Sequence, residues 1–358
     1  MQTPQPSPLD RSHRWASSSN RAGAGRPGRG PQPVLLPSML MFGVIVASSG
    51  LLLLIERGIV SRVGPMPPHP QRGPAPEAPS DPAHGVRQDV RNRTVRAVCG
   101  QPGMPRSPWD LAAGPRRTVL RHILVSDRHR FLYCYVPKVA CSNWKRVLKV
   151  LAGALDSVDA RLKMDHQRDL VFLADLAPQE IRYRLRTYFK FLFVRDPLER
   201  LLSAYRNKFG EIREYQRRYG AQIVRRYRPG ARPDPPGDDV TFAEFLRYLV
   251  DEEPDRMNEH WMPVYQLCQP CAVRYDFVGS YERLEADADH VLRRVGAPPT
   301  VRFPARQPWY RPAGPDTLRY HLCAAPPALL RDLLPKYILD FSLFAYPLPN
   351  LTREACRQ

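Results

Sequence analysis

Three short apolar runs constrain this chain most, because each ends at a turn residue and is followed by a helical pattern. Arg130 to Val136 contains FLYCYV and stops at Pro137, Tyr188 to Val194 reads YFKFLFV, and Tyr275 to Val278 reads YDFV. Runs of this length and aromatic content suit buried strands. Behind the first, Ser142 or Asn143 caps a helix whose Trp144, Val147, Leu148 and Leu151 recur at helical spacing. Pro197 to Phe209 is helical behind the second, and Glu282 to Val295 behind the third. Strands alternating with helices imply an α/β fold, a parallel sheet flanked by helices. Regular structure is expected from about Leu120, with a charged helical stretch at Glu211 to Arg228 and a Pro- and Asp-rich loop at Pro229 to Asp239.

Two of the strand-to-helix turns carry groups suited to an anion. Pro137-Lys138-Val139-Ala140-Cys141-Ser142-Asn143 leads into a helix amino terminus, where free N–H groups and the helix dipole attract phosphate. Lys138 adds a point charge and Ser142 a hydroxyl. The glycines and GK[ST] ending of a Walker loop are missing. The second turn is Arg195-Asp196-Pro197-Leu198-Glu199-Arg200-Leu201-Leu202-Ser203, in which Arg195 and Ser203 could clasp another phosphate. Two such turns in one parallel sheet suggest a nucleotide with phosphates at two separate positions.

The rest of the chain says where such a domain works. Val34 to Ile55 is an uncharged run of 22 residues, long enough to cross a bilayer as a helix. Glu56, Arg57 and Gly58 follow it and offer no signal-peptidase site, so it reads as a retained signal anchor. Arg11, Arg14, Arg21, Arg26 and Arg29 precede it, against Arg57, Arg62 and Arg72 after it, which places the amino terminus in the cytosol. The expected organisation is a cytoplasmic tail (1–33), a transmembrane anchor (34–55), a Pro/Gly-rich stem (56–118) and a lumenal catalytic domain (119–358). The stem expectation rests on composition, since 19 of the 40 Pro and 13 of the 21 Gly lie in the first 120 residues. Two sequons, at Asn92 and Asn350, fit a lumenal location.

All seven Cys lie beyond the apolar run, where oxidation is permitted, and the odd number leaves a thiol without an intrachain partner. Cys268-Gln-Pro-Cys271 has no second pair to complete a zinc site and reads as structural and disulfide-bonded. The net charge of +19 divides into +9 before residue 119 and +10 after it, so the globular part is itself basic. Only seven of the 54 basic residues are Lys. Such a domain expects an anionic partner. Arg217, Arg218, Arg225, Arg226 and Arg228 are the candidate cationic surface for a polyanionic acceptor.

The turn sequences also resemble a known family. YVPKVACSNWKR, Tyr135 to Arg146, is similar to the 5′-phosphosulfate loop of Golgi carbohydrate sulfotransferases, and FLFVRDPLERLLSAYRNKF, Phe191 to Phe209, to their 3′-phosphate motif. His260-Trp261, Leu267 to Cys271, Tyr275 to Gly279 and Leu339 to Phe344 resemble segments of the branch that contains the HNK-1 and chondroitin/dermatan 4-O enzymes. The likeness covers residues 95 to 358, and the anchor segment is also most similar to the dermatan 4-O members.

The resemblance implies the PAPS-dependent sulfotransferase fold, which is akin to P-loop nucleotide kinases. It implies sulfuryl transfer from 3′-phosphoadenosine 5′-phosphosulfate (PAPS), without a metal, to the 4-hydroxyl of GalNAc in dermatan or chondroitin chains. Residues 137–143 would then hold the 5′-phosphosulfate and 195–203 the 3′-phosphate. The location implied is the Golgi membrane, as a type II glycoprotein, with a uronyl epimerase as a further partner. Lys138 is the expected catalytic cation and His260 the expected general base, with His166 second.

Rival readings fit less of the sequence. A Golgi glycosyltransferase would need a metal-binding Asp-x-Asp, and Asp287-Ala288-Asp289 falls in an expected helix, where i and i+2 face apart. A non-catalytic glycosaminoglycan binder explains the charge without the two turns, and lumenal topology argues against nucleic acid.

Overall fold

The computed structural model describes residues 82–159, 165–305 and 314–349 together with Cys356, with the side chains of the first helix from Gln88 on. The expected tail and anchor (1–55), the stem up to residue 81 and the Asn350 sequon lie outside the described residues. No described helix is long and apolar enough to cross a membrane.

Five strands form one sheet in the order β3-β1-β2-β4-β5. They are β1 (Ile123–Ser126), β2 (Phe131–Cys134), β3 (Val171–Phe172), β4 (Phe189–Val194) and β5 (Phe277–Ser280). The three apolar runs of the sequence are β2, β4 and β5, and they pair in parallel, Tyr133 opposite Phe191 and Phe191 opposite Phe277. The sheet is mixed rather than wholly parallel, which corrects the expectation. β1 enters through a tight turn as the antiparallel partner of β2, and β3 pairs antiparallel to β1. A four-residue strand beside a turn carries too weak a pattern to separate from the adjoining helix.

Helices cover the sheet. The crossover from β2 begins with α3 (Cys141–Leu151), after α1 (Pro82–Cys99) and α2 (Ala113–His122) have preceded the sheet. Next come α4 (Pro178–Thr187), α5 (Pro197–Gly210), α6 (Ala221–Tyr227), α7 (Phe242–Asp251) and α8 (Val264–Cys268). The chain closes with α9 (Leu284–Arg294), α10 (Pro315–Cys323) and α11 (Pro327–Phe344). The charged stretch expected as one helix is interrupted by a π turn at Gln216–Gly220.

Regular structure begins before the expected Leu120, at Pro82 among the described residues. Helix α1 lies within the segment read as stem. Its apolar stripe is thin, and polar contacts hold it: Arg91 Nε donates to Phe344 O at 3.2 Å and Thr94 Oγ1 to Leu343 O at 3.0 Å. These side chains satisfy carbonyls at the carboxyl end of α11 that no further helical turn can reach. A disulfide from Cys99 to Cys271 fixes the same helix.

Cys134–Cys268 and Cys323–Cys356 complete the disulfides, and Cys141 remains a free thiol. Both cysteines of the Cys268-Gln-Pro-Cys271 segment are therefore structural, each bonded to a distant partner.

The core is aromatic where α3 meets the sheet. Trp144 lies 5.0 Å from Phe191 and 5.2 Å from Phe193, centroid to centroid, and is 1% exposed. Gly279 stands opposite Phe193 in the β4–β5 register, and a Cβ there would come within 2.4 Å of the Phe193 ring. The ring thus occupies the place of a side chain. Gly279→Ala should cost about 1–3 kcal/mol by overpacking. Thermal unfolding checks this, and an unchanged midpoint would contradict the packing described.

Candidate active site

A cavity of about 790 Å³ opens beyond the carboxyl ends of the parallel strands, where α/β sheets bind ligands. Three segments build most of its wall: the turn after β2, the turn after β5 (Tyr281 to Ala286), and Asn207 and Lys208 of α5. Pro137, Lys138, Ala140, Cys141, Ser142 and Asn143 all line it, while Val139 is fully buried in the core beneath them.

The turn after β2 has an unusual backbone. Lys138 and Ala140 both adopt positive φ, 70° and 56°. Non-glycine residues pay of order 1–3 kcal/mol each for such conformations. Alternation of this kind turns successive N–H groups toward one side, making a concavity for an anion. No side chain caps α3, whose Ncap is Ala140; Asn143 N donates to Ala140 O at 3.1 Å, and the Cys141 and Ser142 N–H groups are left for solvent or a ligand.

The turn after β4 is built differently. Asp196 caps α5 with its own carboxylate, accepting from Leu198 N at 2.9 Å and Glu199 N at 3.0 Å. Burial raises its pKa to about 6, against the pull of those two bonds. The amino terminus of α5 is therefore filled from within. Leu198, Leu201 and Leu202 are core residues, and Pro197 and Ser203 are buried as well.

Arg195 is 1% exposed. Its Nε and Nη2 each lie 3.2 Å from Glu199 Oε2, and its guanidinium stacks 4.2 Å from the Tyr281 ring. Tyr281 lines the cavity; Arg195 and Ser203 are buried and not among the residues that line it.

Arg200 sits inside the sequence motif but turns to the backbone. Its Nε donates to Pro137 O at 3.0 Å, Nη1 to Met262 O at 2.7 Å and Nη2 to Glu259 O at 2.8 Å. One buried guanidinium thus joins the anion turn to the segment that carries His260. This is a positioning role in place of the donor contact expected from the sequence.

Lys138 Nζ donates to Asn207 Oδ1 at 3.0 Å, and Asn207 Nδ2 donates to Glu211 Oε2 at 2.7 Å, which orients the amide. Burial, then the nearby Lys208 ammonium, lowers the Lys138 pKa to about 8. His260 lines the same cavity. Its Nδ1 lies 2.8 Å from Asn258 Oδ1 and 3.2 Å from Tyr215 Oη; the tautomer that donates from Nδ1 to the amide oxygen leaves a lone pair on Nε2. Burial, then Lys208, lowers the His260 pKa to about 3.

Beside it, Glu259 Oε2 accepts from Tyr135 Oη at 3.2 Å and lies 3.1 Å from His122 Nε2. Burial pushes the Glu259 pKa up, but the His122 hydrogen bond and the nearby Lys145 ammonium hold it down at about 2.

His166, the second candidate base, lines the cavity as well, and burial lowers its pKa. Of the expected acceptor arginines, Arg226 pairs with Asp251 at 3.0 Å, Arg228 with Glu244 at 2.7 Å, and Arg225 lies 4.0 Å from Asp234. Three of the five are thus offset by carboxylates, whereas Arg217 and Arg218 are exposed with no carboxylate within ion-pair distance among the described residues. Asp287 and Asp289 lie within α9, and no cluster of three metal-ligating side chains occurs among the described residues.

Sequence reasoning missed Asn207 and Lys208. The first lies four residues beyond Ser203 on α5, on the same helix face, and that spacing was the available signal.

An uncapped helix terminus, a strained turn with a lysine and an imidazole in one basic cavity define a group-transfer enzyme that handles an anionic donor. The sequence matches the sulfotransferase family over residues 121–347. It is 76% identical to carbohydrate sulfotransferase 14 of Homo sapiens over 349 residues, 94% of this chain and 93% of that protein. Identity to carbohydrate sulfotransferase 14 of Danio rerio is 62% over 332 residues, 90% of each chain. Carbohydrate sulfotransferase 11 of Rattus norvegicus is 42% identical over 282 residues, 75% of this chain and 77% of that protein. No solved structure matches. The chain belongs to the sulfotransferase family and is a carbohydrate sulfotransferase.

Two outcomes test this geometry. Arg200→Lys should unfold at lower temperature and lose activity together, because one ammonium cannot serve three carbonyls and those left buried without donors cost about 1–3 kcal/mol each. Normal stability with weakened donor binding would instead place Arg200 on the ligand. For His260, the unfolded chain takes up a proton near the ordinary pKa of about 6.5, while the folded protein resists until about 3. Stability from this residue is therefore complete above pH 6.5 and falls as the pH drops toward 3. Chemical unfolding across that window should show His260→Gln losing less stability than the parent.

Proposed function

We propose that this chain transfers a sulfuryl group from PAPS, the donor its family implies, to the 4-hydroxyl of GalNAc in dermatan sulfate, giving 3′,5′-ADP. The observation that carries this reading is the uncapped amino terminus of α3, with Lys138 beside it, in the cavity that also holds His260. Similarity to carbohydrate sulfotransferase 14 proteins supports the narrower assignment over a chondroitin 4-O or HNK-1-type enzyme.

The donor supplies the sulfuryl group. The residue 137–143 turn binds its 5′-phosphosulfate through backbone N–H groups and the Ser142 hydroxyl, and Lys138 offsets charge growing on the leaving phosphate oxygen. Arg195 and Ser203 serve the 3′-phosphate, with Glu199 releasing the guanidinium as an anion arrives. His260 Nε2 takes the proton of the acceptor hydroxyl while that oxygen attacks sulfur and the sulfur–oxygen bond to phosphate breaks. A polyanion in the cavity offsets Lys138 and Lys208, which raises the His260 pKa toward the range of a useful base.

The setting proposed is the Golgi lumen, with residues 34–55 as a type II signal anchor and Asn92 glycosylated. Three disulfides fit an oxidising compartment.

Incubation with labelled PAPS and desulfated dermatan, chondroitin and heparan, followed by disaccharide analysis, tests the assignment. Label is expected at the GalNAc 4-hydroxyl of dermatan, and label in none of the three would reject it. Lys138→Ala should nearly abolish turnover with its unfolding midpoint retained. His260→Ala should lower kcat about 10²–10⁴-fold, and an unchanged kcat would assign the base elsewhere.

A further inference from the structure

The sheet has a second basic hollow at its opposite end. A cavity of about 600 Å³ lies against the amino ends of β2, β4 and β5, with His129, Arg130, Arg186, Lys190, Asp276 and Arg294 in its wall. Asp276 is the one carboxylate among the lining residues, and Lys190 engages it: Nζ lies 3.0 Å from Oδ2, and the Lys190 N–H donates to the same oxygen at 2.7 Å.

Among the described residues, Arg130, Arg186 and Arg294 have no carboxylate within ion-pair distance. The contrast with other arginines is sharp. Arg184, close to Arg186 in sequence, donates two parallel hydrogen bonds to Asp127, from Nε to Oδ1 and from Nη2 to Oδ2, each at 2.8 Å. Arg226 and Arg228 are likewise paired.

The guanidinium of Arg130 lies over the Tyr188 ring at 5.6 Å, and that of Arg294 over Phe189 at 5.3 Å. All three arginines are exposed, and a guanidinium offers paired N–H groups that match the paired oxygens of a carboxylate or sulfate. The six residues of β4 span about 20 Å, so the hollow and the catalytic cavity cannot contact one sugar. They can contact one polymer.

We propose that this hollow is a second binding site for the galactosaminoglycan chain, taking uronate and sulfate groups remote from the acceptor sugar. This rests on the acceptor class proposed above. The hollow holds the polymer while the carboxyl-end cavity performs transfer, so it lowers KM for long chains and leaves the chemical step alone.

The test uses full-length enzyme carrying Arg130→Ala, Arg186→Ala and Arg294→Ala together, compared with the parent on long desulfated dermatan and on tetrasaccharide acceptors. KM for long chains should rise about tenfold, with kcat, the KM for PAPS and tetrasaccharide kinetics unchanged. The difference should vanish near 1 M salt, where screening acts within about 3 Å. Equal KM for long chains in both enzymes would overturn the proposal, as would an equal loss on tetrasaccharides. If the triple variant misfolds, Arg186→Glu at this exposed position gives the same comparison with one charge reversed. Should the parent sulfate no galactosaminoglycan, the acceptor assignment fails. Calorimetric titration with chondroitin sulfate then tests the hollow by itself, and equal binding by parent and variant would reject it.

Discussion

The catalytic cavity depends on one buried cation whose hydrogen bonds go to backbone carbonyls. Arg200 gives its N–H groups to the carbonyls of Pro137, Glu259 and Met262, which belong to segments more than 120 residues apart in the chain. A guanidinium in the interior is costly unless its donors are matched, and here planar carbonyl acceptors match them. The charge fixes the distance between the anion turn and the imidazole segment, and it reaches the cavity only as an electrostatic bias on His260.

The two turns after β2 and β4 look alike in sequence and differ in physics. One keeps its helix terminus open at the expense of two residues with positive φ, and the other closes its terminus with Asp196. An open terminus can take charge from a ligand, whereas a self-capped one contributes through its arginine. The division of labour follows from a single acidic residue at the Ncap of α5, which is absent at the Ncap of α3.

The parallel strands and the α3 turn could be read from the sequence because both depend on local patterns, apolar runs and a helix start. Antiparallel β1 escaped notice, since four residues beside a turn give no period to count. Helix α1 escaped for another reason: Arg91, Thr94 and Cys99 dock it through partners more than 170 residues away, and composition there resembles a linker. The same limit applied to arginine. Sequence shows 47 of them but not which are spent on neighbouring carboxylates, as Arg226 and Arg228 are, or on backbone carbonyls, as Arg200 is.

The long-range disulfides bear on how the chain is made. Cys99 and Cys134 find their partners only at Cys271 and Cys268, separations of 172 and 134 residues. During amino-to-carboxyl synthesis, Cys99 and Cys134 cannot form their native bridges until residues 268 and 271 have been made. Cys141, seven residues beyond Cys134, is then the nearest competitor for it. A Cys134–Cys141 bridge would lock the turn that the catalytic cavity needs, and thiol exchange is the chemistry that would undo it.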